Sequence, residues 1–167
     1  GSGERAFCAG ADLTERRTLG PDERTAHTQA IARAVEAVAT CPVPVIAAVN
    51  GYALAGGAEL ALACDLRIGA PDAVLGFPEV RIGIFPGAGG TQRVARLAPT
   101  ADALLMMTNG EALKPDAAKK MNLIHDIAPQ SGIVARAKDW IKQGGSAIAP
   151  WDQEKFKLPS GPIYSKA

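Results

Sequence analysis

The chain has 167 residues, 47% of them hydrophobic, and a formal net charge of +1. That is long enough for one domain with a real core and too apolar for disorder. The balanced charge leaves no basic footprint for nucleic acid and no acidic tail, and no apolar run approaches the ~20 residues that span a bilayer. The three cysteines, Cys8, Cys41 and Cys64, form no CxxC pair and read as reduced core thiols of a cytoplasmic compartment. His27 and His125 are the two histidines and lie far apart, which argues against a His-rich metal site and against His-based nucleophilic catalysis. Residue 1 is glycine, which leaves open a targeting segment ahead of it.

Residues 6–13 look like the end of a buried strand running into a turn, and residues 14–20 like a polar loop. Pro21, Asp22 and Glu23 suit a first helical turn. Ile31, Val35 and Val38 continue it at helical spacing, and Pro42 and Pro44 end it. Val43 to Val49 is a short apolar run between breakers, which suits a strand buried on both faces of a parallel sheet. Asn50-Gly51 closes that run. Ala55-Gly56-Gly57 then leads into a strong helix former, Ala58 to Ala63. Residues 65–69 and 74–77 read as short strands, and 83–90 as a glycine-rich loop. Thr91 opens a helix carrying Val94, Leu97 and the 101–107 run, with Pro99 forcing a kink or a break. A helix from Pro115 to about Met121, a last strand over 123–127 and an amphipathic helix with Ile133, Ala137, Trp140 and Ile141 complete the pattern. From Gly144 the composition turns to Gly, Pro and Ser, as in a linker. Helices alternating with short apolar strands predict an α/β layer fold.

Two features carry chemistry. At Gly56-Gly57 a helix begins, so its first N–H groups lack intrahelical partners, and glycine admits close approach. Such a turn can hold a carbonyl oxygen that is becoming an oxyanion. A tight strand-to-helix turn that needs glycine for its angles is the competing reading. An oxyanion hole needs two donors, and the Ala11 N–H in the turn Ala9-Gly10-Ala11-Asp12 offers a second. An ordinary turn with Asp12 capping the next segment competes there. Glu59 stands alone in an apolar helix, where burying charge is costly, with a solvent-facing spacer or a first-turn helix-dipole partner as the competing reading; Glu79 follows Phe77-Pro78 between apolar stretches, where a surface loop acid competes. Together, two carboxylates near an oxyanion hole can run acid–base chemistry on a carbonyl substrate. The loop at Gly87 to Thr91 lacks both the P-loop ending and the dinucleotide spacing.

These segments resemble the crotonase family of enoyl-CoA hydratases and isomerases. The resemblance rests on Ala6–Asp12 (AFCAGAD), Val45–Leu60 (VIAAVNGYALAGGAEL), Phe77-Pro78-Glu79 and Gly83–Gln92 (GIFPGAGGTQ), in the family's order and spacing. It covers about residues 1–130, with 131–167 as a helix and linker tail. It implies a crotonase-like fold of ββα repeats, and also implies strands and a helix ahead of Ala6, so the fold is expected to be N-terminally truncated with an open sheet edge. The resemblance assigns Glu59 and Glu79 as the catalytic acids and the N–H groups of Ala11 and Gly56 as the oxyanion hole. Ala9, Asp12, Leu13, Gly57, Pro86 and Gly87 would contact substrate, with Gly87 placing the water through its backbone.

The implied activity is hydration of trans-2-enoyl-CoA to 3-hydroxyacyl-CoA in fatty-acid β-oxidation. The implied partner is an acyl-CoA thioester. No cofactor or metal is expected, since coenzyme A belongs to the substrate. The tail from Pro150-Trp151-Asp152 to Gly161 resembles the linker of multifunctional fatty-acid oxidation proteins. In those an NAD-using 3-hydroxyacyl-CoA dehydrogenase part follows and a thiolase often pairs with the chain; a homo-oligomer is the other implied assembly. An isomerase, another crotonase-fold activity and a non-catalytic fragment are the rival readings.

Overall fold

The computed structural model of the chain describes residue 1 and residues 3–161. Among the described residues seven short strands and seven α-helices are interspersed along the chain, in keeping with the α/β fold that the sequence pattern predicts. In chain order the strands are β1 (Ala6–Cys8), β2 (Ile46–Val49), β3 (Tyr52–Leu54), β4 (Leu66–Gly69), β5 (Val74–Gly76), β6 (Ala112–Leu113) and β7 (Asp126–Ile127). The helices are α1 (Leu13–Thr18), α2 (Pro21–Ala39), α3 (Gly56–Ala63), α4 (Gly90–Leu97), α5 (Thr100–Asn109), α6 (Pro115–Lys120) and α7 (Ile133–Lys142).

The strands form two sheets. One runs β1-β3-β5-β6, parallel except where β6 meets β5; the other runs β2-β4-β7 and is parallel throughout. The continuous apolar run of β2 follows from cover on both faces. Ala47 and Val49 enter the main core with Leu62, Leu75, Phe77 and Val94, while Ile46 and Ala48 face a smaller cluster of Leu66, Ile68 and Ile133. α7 forms the outer layer of that smaller cluster through Ala137 and Trp140. α3 sits at the centre, packed against α2, α4, β1 and β3, and is buried almost all round. A helix apolar on every side belongs in such a place.

Several elements differ from the sequence expectation. Residues 13–18 form α1 rather than a loop, because the Asp12 carboxylate accepts from the N–H of Thr14 at 2.7 Å and of Glu15 at 3.4 Å and so caps the turn. Asn50-Gly51 closes the apolar run as expected, but the chain then pairs again as β3, which at three residues is too short to show a period. At Pro99, where a kink or a break is expected, the helix breaks into α4 and α5. In the predicted strand over 123–127 only Asp126 and Ile127 pair, while Leu123 and Ile124 turn into the core. Of the three free thiols Cys64 is buried, whereas Cys8 and Cys41 are only half-covered. No helix among the described residues is long and apolar enough to cross a membrane.

Arg67 ties β4 to the segment before β7. It is 2% exposed, and its guanidinium donates to the carbonyls of Cys64 at 2.7 Å and Leu123 at 2.8 Å. Burial pulls its pKa down to about 10, so it stays charged at neutral pH. The Arg67 N–H donates to His125 Nδ1 at 3.1 Å, a bond that only an unprotonated nitrogen accepts. Burial, and then the neighbouring Arg67 charge, push the His125 pKa down to about 4 from 6.5. The folded state therefore binds fewer protons than the unfolded state between those values. Stability is expected to be fully present above pH 6.5 and to be lost as pH falls toward 4. Urea midpoints measured across that range for the chain and for His125→Gln check this: the difference between them must close toward acid pH.

Candidate active site

Glu59 lies in the first turn of α3 and is 3% exposed. The cost of burying it is met by backbone donors. Its Oε1 accepts from the N–H of Ala88 at 2.7 Å and of Gly90 at 2.8 Å. The loop before α4 reaches this carboxylate because glycine stands at its two tightest points. Gly89 has φ +96°, a left-handed conformation that favours glycine. At Gly90 an added Cβ would sit 2.8 Å from the Phe77 ring and 3.0 Å from Glu59 Cγ. Burial raises the Glu59 pKa, and the Gly90 and Ala88 N–H groups and then Arg93 act against that rise.

Glu79 comes from the 3-10 turn Pro78–Ile82, which begins where the fully buried Phe77 anchors the chain. It is 5% exposed, and its Oε2 is buried without a partner among the described residues. Burial raises its pKa first, its own backbone N–H opposes, and the Glu59 charge raises it further. The two acids thus sit close enough to feel each other, in unlike surroundings. Glu59 has two N–H donors and an arginine; Glu79 has an unmatched oxygen.

The start of α3 meets the turn after β1. Gly10 has φ +88°, and a Cβ there would lie 3.1 Å from the Gly56 nitrogen. Ala55 precedes the helix at φ 52° and ψ −127°, a strained backbone for a residue with a side chain. Its carbonyl accepts from Ala58 at 2.8 Å and Glu59 at 3.0 Å. Among the described residues the N–H groups of Ala11 and Gly56 donate to no protein acceptor.

A cavity of about 550 Å³ connects these groups. Its wall includes Ala9, Ala11, Leu13, Gly56, Glu59, Glu79 and Gly87, seven residues that the sequence reading singled out. Asp12, Gly57 and Pro86 are not on the wall. Asp12 caps α1, and Gly57 presses against the Cys8 carbonyl, which a Cβ would strike. Pro86 backs onto Gly90. The rest of the wall is mostly apolar, with Ile31, Ile82, Ile84 and Phe85, and Arg16 and Arg81 add charge. Phe85 is 74% exposed. Size and lining suit a small organic ligand. No cluster of three His, Cys, Asp or Glu side chains occurs among the described residues.

Arg93 was missed from the sequence. It is 8% exposed and hydrogen-bonds the Ala88 carbonyl at 2.9 Å. A signal was available: Gly90, Arg93, Val94 and Leu97 form the buried stripe of α4, so a cation falls on its inward face.

The family model for enoyl-CoA hydratase/isomerase matches residues 1–150. A protein of Bacillus subtilis (strain 168) whose name gives it as an enoyl-CoA hydratase/isomerase is 45% identical over 96% of this chain and 62% of its own length. The fatty acid oxidation complex subunit alpha of Shewanella frigidimarina is 40% identical over 90% of this chain and 22% of its own length. The crystal structure of an enoyl-CoA hydratase from Bacillus anthracis superposes with a TM-score of 0.82 at 41% identity, over 85% of this chain and 55% of that one. The chain therefore spans at most about three-fifths of these relatives.

Gly90→Ala is expected to push the loop off Glu59 and to destabilise the fold by ~1–3 kcal/mol, the cost of overpacking. Denaturant unfolding checks the stability. Loss of amide-exchange protection at Ala88 checks the displaced hydrogen bond.

Proposed function

The chain belongs to the enoyl-CoA hydratase/isomerase family, and from that premise we propose that it adds water across the double bond of a trans-2-enoyl-CoA to give a 3-hydroxyacyl-CoA. The observation that carries this reading is the pair of buried acids in unlike surroundings on one cavity wall. Burial raises the Glu59 pKa, but two N–H donors and Arg93 oppose that rise, and in this reading they suit it to be the base. Burial and the Glu59 charge favour the protonated form of Glu79, which makes it the acid.

In this scheme the thioester oxygen accepts from the N–H groups of Ala11 and Gly56. A water between the two acids loses a proton to Glu59 as its oxygen bonds the β-carbon. The double-bond electrons move toward the thioester, and negative charge collects on the oxygen at the two N–H groups. Glu79 delivers its proton to the α-carbon, and the proton on Glu59 then returns to Glu79 through the water site. The balance is one water added, with no oxidant and no cofactor beyond the coenzyme A of the substrate. The apolar wall at Ile31, Ile82 and Ile84 suits an acyl chain.

The second reading is an isomerase, which needs one acid to move a proton between carbons. The presence of Glu59, held by two hydrogen bonds at the same cavity, favours hydration. The match to a fatty acid oxidation complex subunit and the tail over 150–161 support a place in β-oxidation. Three free thiols suit a reducing compartment such as the cytoplasm.

Loss of the conjugated-thioester absorbance of crotonyl-CoA tests the reading, with the product identified by chromatography. Glu59→Gln and Glu79→Gln are each expected to lower the rate by ~10²–10⁴-fold, the usual weight of a general acid or base. A folded chain that turns over no crotonyl-CoA, or a Glu79→Gln chain as fast as its parent, would remove the proposal. A product with a shifted double bond and no added water would move it to the isomerase.

A further inference from the structure

The loop from Gly87 to Gly89 is a thin wall between two cavities. Gly87 and Ala88 line the cavity that holds the acids. The same two residues and Gly89 line a second space of about 540 Å³ on the other side, with Glu36, Arg93 and Arg96. A loop with open space on both faces has little packing to hold it. A Cβ built on Gly87 would meet nothing within 4 Å. Yet this loop must aim the Ala88 and Gly90 N–H groups at one oxygen of Glu59, at 2.7 and 2.8 Å.

Arg93 is the group behind it. Its Nη1 donates to the Ala88 carbonyl at 2.9 Å, which fixes the plane of a neighbouring peptide. The guanidinium also fills the space over Gly89, where a Cβ would strike it. Its other nitrogen reaches Glu36 of α2 at 3.3 Å, a carboxylate whose side chain is 66% exposed. Arg93 is thus anchored on α4, steadied from α2 and applied to the loop.

We propose that Arg93 is a positioning residue: by gripping the Ala88 carbonyl it holds the loop so that the Ala88 and Gly90 N–H groups keep Glu59 aimed at the cavity. Its role in turnover rests on the hydratase reading above, while its effect on Glu59 does not. The charged groups that bear on Glu59 are few. α4 supplies Arg93, the 3-10 turn supplies Glu79, and α2 supplies Glu36 already paired to Arg93. Arg16 and Arg81 line the same cavity, and β1 and β3 bring no charged side chain. Removing Arg93 takes away a nearby cation and loosens two N–H donors, and both changes favour the protonated acid.

The test reads Glu59 directly. The carboxyl carbons of a ¹³C-glutamate-labelled chain are titrated by NMR, with Glu59 assigned by its loss in Glu59→Gln. Arg93→Met is expected to move the Glu59 titration to higher pH, with Arg93→Lys moving it less. In the hydration assay Arg93→Met is expected to lose rate several-fold at acid pH and to recover as pH rises, with KM nearly unchanged. An unmoved Glu59 titration in a folded Arg93→Met chain overturns the proposal. Where that variant does not fold, Arg93→Lys decides, since it keeps the charge but lacks the planar fork, and an unmoved titration there overturns it too. A chain inactive toward crotonyl-CoA but with the shifted titration would end the hydratase reading and leave the role of Arg93 standing.

Discussion

A carboxylate buried in an apolar helix must be compensated, and Glu59 is compensated by backbone groups 29 and 31 residues further along the chain. Much of the site follows from that requirement. The loop must come close, so Gly90 has no room for a side chain beside Phe77 and Glu59. The loop must turn sharply, so Gly89 takes a left-handed conformation. α3 must be buried at its start, so Gly57 touches β1 and Ala55 accepts backbone strain. The strain at Ala55 is of the order of ~1–3 kcal/mol, and it is offset by packing of the central helix between α2, α4 and the first sheet.

The difference between the two acids is a matter of neighbours rather than depth. Both are nearly inaccessible. A carboxylate that accepts two N–H bonds keeps its charge far more readily than one whose inner oxygen has no donor. The fold therefore gives the two acids unlike hydrogen-bond surroundings without a metal-ligand cluster among the described residues, using only where a loop and a turn place their peptide groups.

The sequence displayed some of this and hid the rest for physical reasons. Gly56, Glu59, Glu79 and the loop at Gly87 to Gly90 stood out because glycine pairs and isolated acids are anomalous in apolar surroundings, and Gly56, Glu59, Glu79 and Gly87 do converge on one cavity. The apolar run at Val43 to Val49 was legible as a strand, although pairing starts only at Ile46 and Val43 stays exposed. α1 was not legible, since a capped six-residue helix that buries nothing has no apolar stripe. β3 and β6 are too short for alternation to register, and only their partners define them. For Arg93 the residue pattern shows a cation on the inward stripe of α4, but not the Ala88 carbonyl it touches, since a hydrogen bond to backbone leaves no trace in residue type.

The division of the interior into two clusters bears on how the molecule opens. α7 is attached mainly through the smaller cluster at β2 and β4, where Leu66, Ile68 and Ile133 are the principal large residues. It shares no side chain with the cavity wall. A unit joined by so few contacts can detach as a cooperative piece while the larger core stays closed. Amides of α7 would then exchange with solvent long before those of α3. The chemistry of the cavity would outlast the loss of the outer layer, so that operation and completeness of fold would be lost at different free energies.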